Sequence, residues 1–319
     1  DVFPVHNSGF NNDTISLISS NYYWHSNLYD DNGDLIGNGT IPLLSGTINI
    51  VDLLYYTRHP MLHQIMSFVT PYGLFLDLGP EGKTWEFDMT DFTPIMSGKK
   101  RLIMNAGGQW QEEMDIKFLC IVGTPPREII DIKQLWRVQS RNYTDILSDY
   151  AFEPKNILID NNTDLLKVRT MITGHGQQGE FIPRQHSLSM DNSTFANWQV
   201  WTECSNNPIY PQGGTWPIDR AGWCPGQATD LREDFITNFS AGQTHEYDYS
   251  INTGSGDSRY YVSSQLVNYG PPNFQINAAI NSIISPSKRP EFIRENPICN
   301  NPIIEIKNLG ETTLNSIDI

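Results

Sequence analysis

The sequence predicts an all-β protein of antiparallel sandwiches, and three observations carry that expectation. Its ordered-looking segments alternate apolar and polar residues with period two, where helices would show a period near 3.6. Turn-forming clusters separate these segments at intervals that suit sandwiches or jelly rolls better than βαβ units. No tandem repeat at a solenoid period is present.

The alternation is clearest in "TWEFDM" (84–89), "MDIKFLCIV" (114–122), "HEYDYSI" (245–251) and "RYYVSSQLV" (259–267). Each is expected to be a strand with one face turned inward. "DDNGD", "DLGPEG", "SGKK", "IDNNTD" and "NTGSGD" supply the Gly, Asn and Asp that tight reversals require. "IIDIKQLW" (129–136) fits either a short helix or a strand, because periodicity does not separate the two over so few residues.

The 319 residues suffice for about two domains of ~150 residues each. "GTPPR" (123–127) interrupts the chain after an expected strand, since consecutive prolines remove ladder donors. Domains are therefore expected over 1–127 and 128–288. A second interruption, "SPSKRPEF" (285–292), leaves 289–319 as a tail or the first strands of a further β module.

A formal net charge of −15 repels phosphate and anionic lipid, so nucleic acid is not an expected partner. No apolar run approaches the ~18 residues of a membrane helix, and the chain opens on Asp1 without a basic and apolar leader. Both point to a soluble, already processed protein without membrane insertion. The balance of aromatics, Asn, Gly and Pro against only 21 Lys and Arg is common in secreted β proteins. Six N-x-S/T sequons, at Asn12, Asn38, Asn142, Asn161, Asn192 and Asn238, matter only if the source has a eukaryotic secretory pathway. The four cysteines form no CxxC pair and the histidines are scattered, so no metal site is expected.

"TWPIDRAGWCPG" (215–226) is too broken for a helix or a long strand. Cys204 and Cys224 bracket a loop of 20 residues, and in an oxidising compartment a disulfide there would contribute roughly 3 kcal/mol. That bridge is favoured over two free thiols. Within the loop, Arg220 either presents its fork to a ligand or joins Asp219 in satisfying the loop backbone.

"GGTWPIDRAGWCPG" (213–226) and "CSNNPI" (204–209) resemble the bacterial peptide:N-glycosidase F family, including the spacing of the two cysteines. Matches continue in order at "TPYG" (70–73), "FDMTDF" (87–92), "GTPPR" (123–127), "KVRTMITGHG" (167–176) and "GEFIPRQHSL" (179–188), over roughly residues 40–270. The resemblance implies two antiparallel jelly-roll domains side by side with an active site between them. It implies hydrolysis of the amide joining the innermost N-acetylglucosamine of an N-glycan to asparagine, on glycoprotein or glycopeptide substrates and without a cofactor. A secreted, periplasmic or cell-surface location follows from the same reading.

By resemblance, Glu180 matches a functional glutamate, Arg184 and His186 the Arg and His that follow it, and Arg220 an active-site arginine. His175 stands where a family member has tryptophan, and either lines the cleft or fills a turn. The amino-terminal half departs from the family, since no "WDR" motif exists to carry its catalytic aspartate. Counting back from "SFVTPYG" places Asp52 of "NIVDLLYY" there. A rival placement pairs "INIVDLLYY" with the preceding strand and deletes the catalytic turn. Glu112, beside Glu113, is the candidate second glutamate, and Trp110 the candidate sugar-stacking ring. A glycan-binding or surface module lacking turnover competes with the enzyme, and a purely structural role is the third reading.

Overall fold

The computed structural model describes residues 13–17, 22–29, 34–43, 46–50, 61–73, 76–80, 82–105, 107, 113–252, 254–287 and 301–318. The chain divides into two compact units, Asp1–Leu62 and His63–Ile319. The first holds two antiparallel pairs: β1 (Asp13–Leu17) with β4 (Gly46–Ile50), and β2 (Tyr22–Tyr29) with β3 (Leu35–Leu43).

The second unit is built on two four-stranded antiparallel sheets. One runs β10 (Leu231–Ile236), β7 (Leu165–His175), β12 (Arg259–Pro272), β5 (Arg127–Asn142). The other runs β6 (Lys155–Leu158), β11 (Thr244–Ile251), β8 (Arg184–Met190), β9 (Ser193–Val200). Their inward residues share one core of Trp136, Leu166, Val168, Leu188, Tyr247, Tyr249, Tyr260 and Leu266, among others. Burying such side chains stabilises by about 1.5–3 kcal/mol each, which is what the alternation of β11 and β12 encodes. The ambiguous "IIDIKQLW" lies inside β5, so the strand reading holds.

Two expected strands do not form. Residues 84–89 keep the alternation, with Trp85, Phe87 and Met89 half-buried, but pair with no strand among the described residues. Residues 114–122 have no ladder partner among the described residues, and Ile121 and Val122 are 96% and 99% exposed. Alternation marks a chain able to lie on a sheet; a strand also needs a partner for its N–H and C=O groups. The tail strand β14 (Ile303–Asn308) pairs back on β13 (Ala278–Ser285).

β7 is buried on nearly every residue because both of its faces are covered. Leu166, Val168 and Ile172 enter the sandwich core, while Lys167 and Arg169 lie beneath the segment that carries Asp91. The Asp91 carboxylate bonds Arg169 and Tyr269 and takes Lys167 Nζ at 2.8 Å, and Lys167 also reaches Glu233 at 3.0 Å. Beside this cluster Phe92 packs on Ile132 and Val267. The pairing lets two cations lie under a covered sheet face without an unpaired charge.

Candidate active site

β7 ends at His175, and a single helical turn, Gln177–Glu180, follows. The backbone of Asp257 accepts from Gln178 N and Gly179 N, and its carboxylate accepts from Gln177 N. The turn is thereby tied to the loop before β12, and Glu180 closes it by donating its N–H to Gly176 O at 2.8 Å. Glycine is required nearby, since a Cβ on Gly174 would stand 2.0 Å from Gly179 O.

The 204–224 loop arrives from the other side. Cys204 and Cys224 form the expected disulfide. Gly174 N donates to Ala221 O and Ala221 N to Glu180 O, while Thr202 and Arg220 exchange backbone hydrogen bonds. At Gly222 (φ +77°) a Cβ would fall 2.0 Å from Ile172 O, so only glycine lets the loop lie this close to β7. These contacts bring two residues 40 positions apart together, with Arg220 Nε donating to Glu180 Oε1 at 2.8 Å.

Arg220 is only 1% exposed. Its Nη1 donates to Ile218 O, and its Nη2 to Thr215 O and Oγ1. Trp223, Phe181 and Tyr72 surround the guanidinium, with ring centroids 4.9, 5.4 and 5.8 Å from its central carbon. Asp219 does not pair with it; its Oδ1 accepts from Cys204 N. Both residues satisfy loop backbone, but not as the Asp–Arg pair that one sequence reading offered, and Arg220 in addition grips Glu180.

The Glu180 side chain keeps 19% exposure, and among the described residues its Oε2 accepts no hydrogen bond. One oxygen is fixed and the other is free for water or a ligand. Tyr72 stands close enough for its phenol pKa to be raised, first by burial and also by the Glu180 charge, with Arg220 opposing. His175 stacks on Trp223, takes Tyr261 edge-on and bonds Thr173 Oγ1 at 2.9 Å. Burial, helped by the Arg259 charge, pushes its pKa down to about 4, so the ring is neutral at pH 7.

The other sequence candidates lie elsewhere or outside the described residues. His186 is 0% exposed in the sandwich core, with Nδ1 2.7 Å from Tyr249 Oη, and burial lowers its pKa to about 3. It is a core residue and takes no part in the Glu180–Arg220 constellation. Arg184, at the start of β8, is half-buried and donates to Ser255 Oγ at 3.2 Å. Asp52, Trp110 and Glu112 lie outside the described residues; Glu113 is exposed. Sequence reading missed Tyr72 and Phe181 as walls of the site, although both stand within the quoted "TPYG" and "GEFIPRQHSL". Among the described residues no group of three or more His, Cys, Asp or Glu is placed to hold a metal ion, and no helix is long and apolar enough to cross a membrane.

Residues 142–267 match the family described as "Peptide-N-glycosidase F, C terminal". A curated protein of Elizabethkingia miricola, peptide-N(4)-(N-acetyl-beta-D-glucosaminyl)asparagine amidase F, is 30% identical, over 64% of this chain and 64% of its own length. The chain thus spans 64% of the length of that relative. Among solved structures, a recombinant peptide:N-glycanase F is 31% identical with TM-score 0.38, covering 44% of this chain and 51% of its own. PNGase F from Flavobacterium meningosepticum, described as a glycosylasparaginase, is 29% identical with TM-score 0.41, covering 47% of this chain and 55% of its own.

Proposed function

We propose that the chain, whose residues 142–267 match the C-terminal model of the peptide:N-glycosidase F family, hydrolyses the amide between N-acetylglucosamine and asparagine in N-linked glycopeptides. Water attacks the side-chain carbonyl carbon and the C–N bond breaks. The peptide keeps an aspartate, and the sugar leaves as a glycosylamine that loses ammonia.

One observation supports this reading above others: Glu180 has one oxygen anchored to Arg220 Nε at 2.8 Å and the other without a hydrogen bond among the described residues, on a side chain that keeps 19% exposure. A carboxylate so held is oriented to take a proton from the attacking water or to stabilise the departing nitrogen. Arg220, with 1% exposure and its donors on Glu180, Ile218 and Thr215, acts as a positioning residue behind Glu180. A second carboxylate, with Asp52 and Glu112 as candidates, and a stacking ring, with Trp110 as candidate, are further parts of the proposal; all three lie outside the described residues. The Cys204–Cys224 disulfide accords with an oxidising setting, either secreted, periplasmic or at the cell surface.

Denatured high-mannose glycoprotein incubated with the protein is expected to lose its glycans, each Asn becoming Asp by mass. Glu180→Gln keeps the acceptor for Arg220 and is expected to fold while losing about 100-fold or more in rate. Unaltered turnover in that variant would assign catalysis to another carboxylate. The second reading, an N-glycan-binding module without turnover, is favoured by the missing "WDR" motif. Retained glycopeptide affinity with no release at any pH would establish it.

A further inference from the structure

A second concave site opens where the edge strands β9 and β10 flank the mouth of the sandwich. It encloses about 490 Å³, within the ~300–1,000 Å³ of small-molecule sites. Trp198, Gln199 and Trp201 line one side, Asp230, Leu231 and Arg232 the other, and Ile172 lies beneath. No residue here belongs to the Glu180–Arg220 constellation. The two sites nonetheless share a support, since Thr202 exchanges backbone bonds with Arg220 and donates its hydroxyl to Asp230 Oδ2 at 2.5 Å.

The lining selects a chemistry. Trp198 and Trp201 are half-buried, and neither indole N–H has a hydrogen-bond partner among the described residues, so two donors are left available. Asp230 Oδ1 and the exposed Gln199 amide add further polar groups. Arg232 is neutralised by Asp234 through two bonds, Nε to Oδ2 at 2.8 Å and Nη2 to Oδ1 at 2.6 Å. With that cation balanced, Asp230 and a chain charge of −15 disfavour an anion. The Arg232 guanidinium already sits 4.5 Å from the Trp198 ring centre, which disfavours a second cation there. What remains is a neutral ligand with an apolar face for an indole and hydroxyls for Asp230, Gln199 and the indole N–H groups.

We propose that the groove between β9 and β10 is a carbohydrate-binding subsite that takes a neutral pyranose, packed on Trp201 and hydrogen-bonded by Asp230 and Gln199. The site is separate from the hydrolytic one and does not depend on hydrolysis. It gives the protein a hold on a glycan at a position apart from the Glu180 carboxylate.

The test titrates the whole chain with mannotriose, cellotriose and diacetylchitobiose, and with spermidine as the cationic comparison, following tryptophan fluorescence and saturation-transfer NMR. Saturable binding of at least one sugar is expected. Trp201→Ala should weaken it about tenfold, equivalent to ~1.4 kcal/mol. Gln199→Arg, at an exposed position where folding is not at stake, should weaken it by blocking the groove. Glu180→Gln should leave it unchanged. If Trp201→Ala does not fold, Gln199→Arg decides. The proposal is overturned if no sugar binds, if spermidine binds and the sugars do not, or if binding survives both groove substitutions and disappears in Glu180→Gln. Failure of glycan release with retained, groove-dependent sugar binding would reject the amidase reading alone.

Discussion

At the scale of single residues, Arg220 is where the chemistry and the fold meet. Its guanidinium bonds three groups of its own loop and one carboxylate from a different element, which a lysine's single ammonium does not reproduce. Arg220→Lys keeps the charge but loses the fork, and is expected to lower stability by about 1–3 kcal/mol through acceptors of the loop left unbonded. It should reduce glycan release well beyond that loss, read as kcat measured on the fraction shown to be folded. A variant with normal stability and normal kcat would show that the guanidinium positions nothing. Glu180 and Arg220 were legible in the sequence through short motifs, but Tyr72 and Phe181 were not. Tyr72 lies 148 positions from Arg220, and local pattern does not encode a contact at that distance. His186 had a usable signal: in "HSLSM" it shares alternation with Leu188 and Met190, both buried, which places it on the inward face.

At the scale of elements, the 204–224 loop has almost no regular structure of its own, so crosslinking and side-chain bonds hold it. Asp219 accepts from Cys204 N, Asn207 Nδ2 bonds Pro225 O, and the disulfide closes the base. Replacing both cysteines by serine is expected to cost roughly 3 kcal/mol in denaturant unfolding, by relaxing the unfolded chain. Wild-type stability in that double variant would mean the side-chain bonds suffice. Strand legibility followed a physical divide. β11 and β12 were readable because each has one face or more in a hydrophobic core and neighbours on both edges. Residues 114–122 show the same alternation without a ladder partner among the described residues, and local sequence does not report whether a partner edge exists. β7 escaped the alternation rule for the opposite reason, since Lys167 and Arg169 are covered by Asp91 and its segment.

At the scale of the whole molecule, buried histidines set the response to acid. His175 and His186 have native pKa values near 4 and 3, below the ~6.5 of an unfolded histidine. The unfolded chain binds the extra protons between those limits. Their contribution is complete above pH ~6.5 and falls, on the order of 1.4 kcal/mol per pH unit for each, as pH drops toward 4. Asp91 acts in the same direction at lower pH. Burial works against its charged form, but Lys167, Tyr269 and Arg169 outweigh it and hold its pKa below the usual carboxylate range. His245 has the opposite sign. Burial disfavours its charge, yet the Asp191 hydrogen bond prevails and raises its pKa, so its contribution is full below ~6.5 and fades as pH rises. Urea midpoints should therefore fall steeply from pH 6.5 to 4. A flat profile would show that the two low-pKa rings are not protected from protons in the native state.

The central claim is that Glu180, aimed by Arg220, directs water onto the asparagine side-chain carbonyl. Hydrolysis of a purified N-glycopeptide in heavy-oxygen water, followed by mass spectrometry of the peptide, tests it directly. The account predicts one heavy oxygen in the new aspartate side chain with the wild-type chain, and unconverted glycopeptide with Glu180→Gln. Conversion at equal rate by both proteins, or a glycan cut between sugars that leaves an unlabelled asparagine on the peptide, would contradict it.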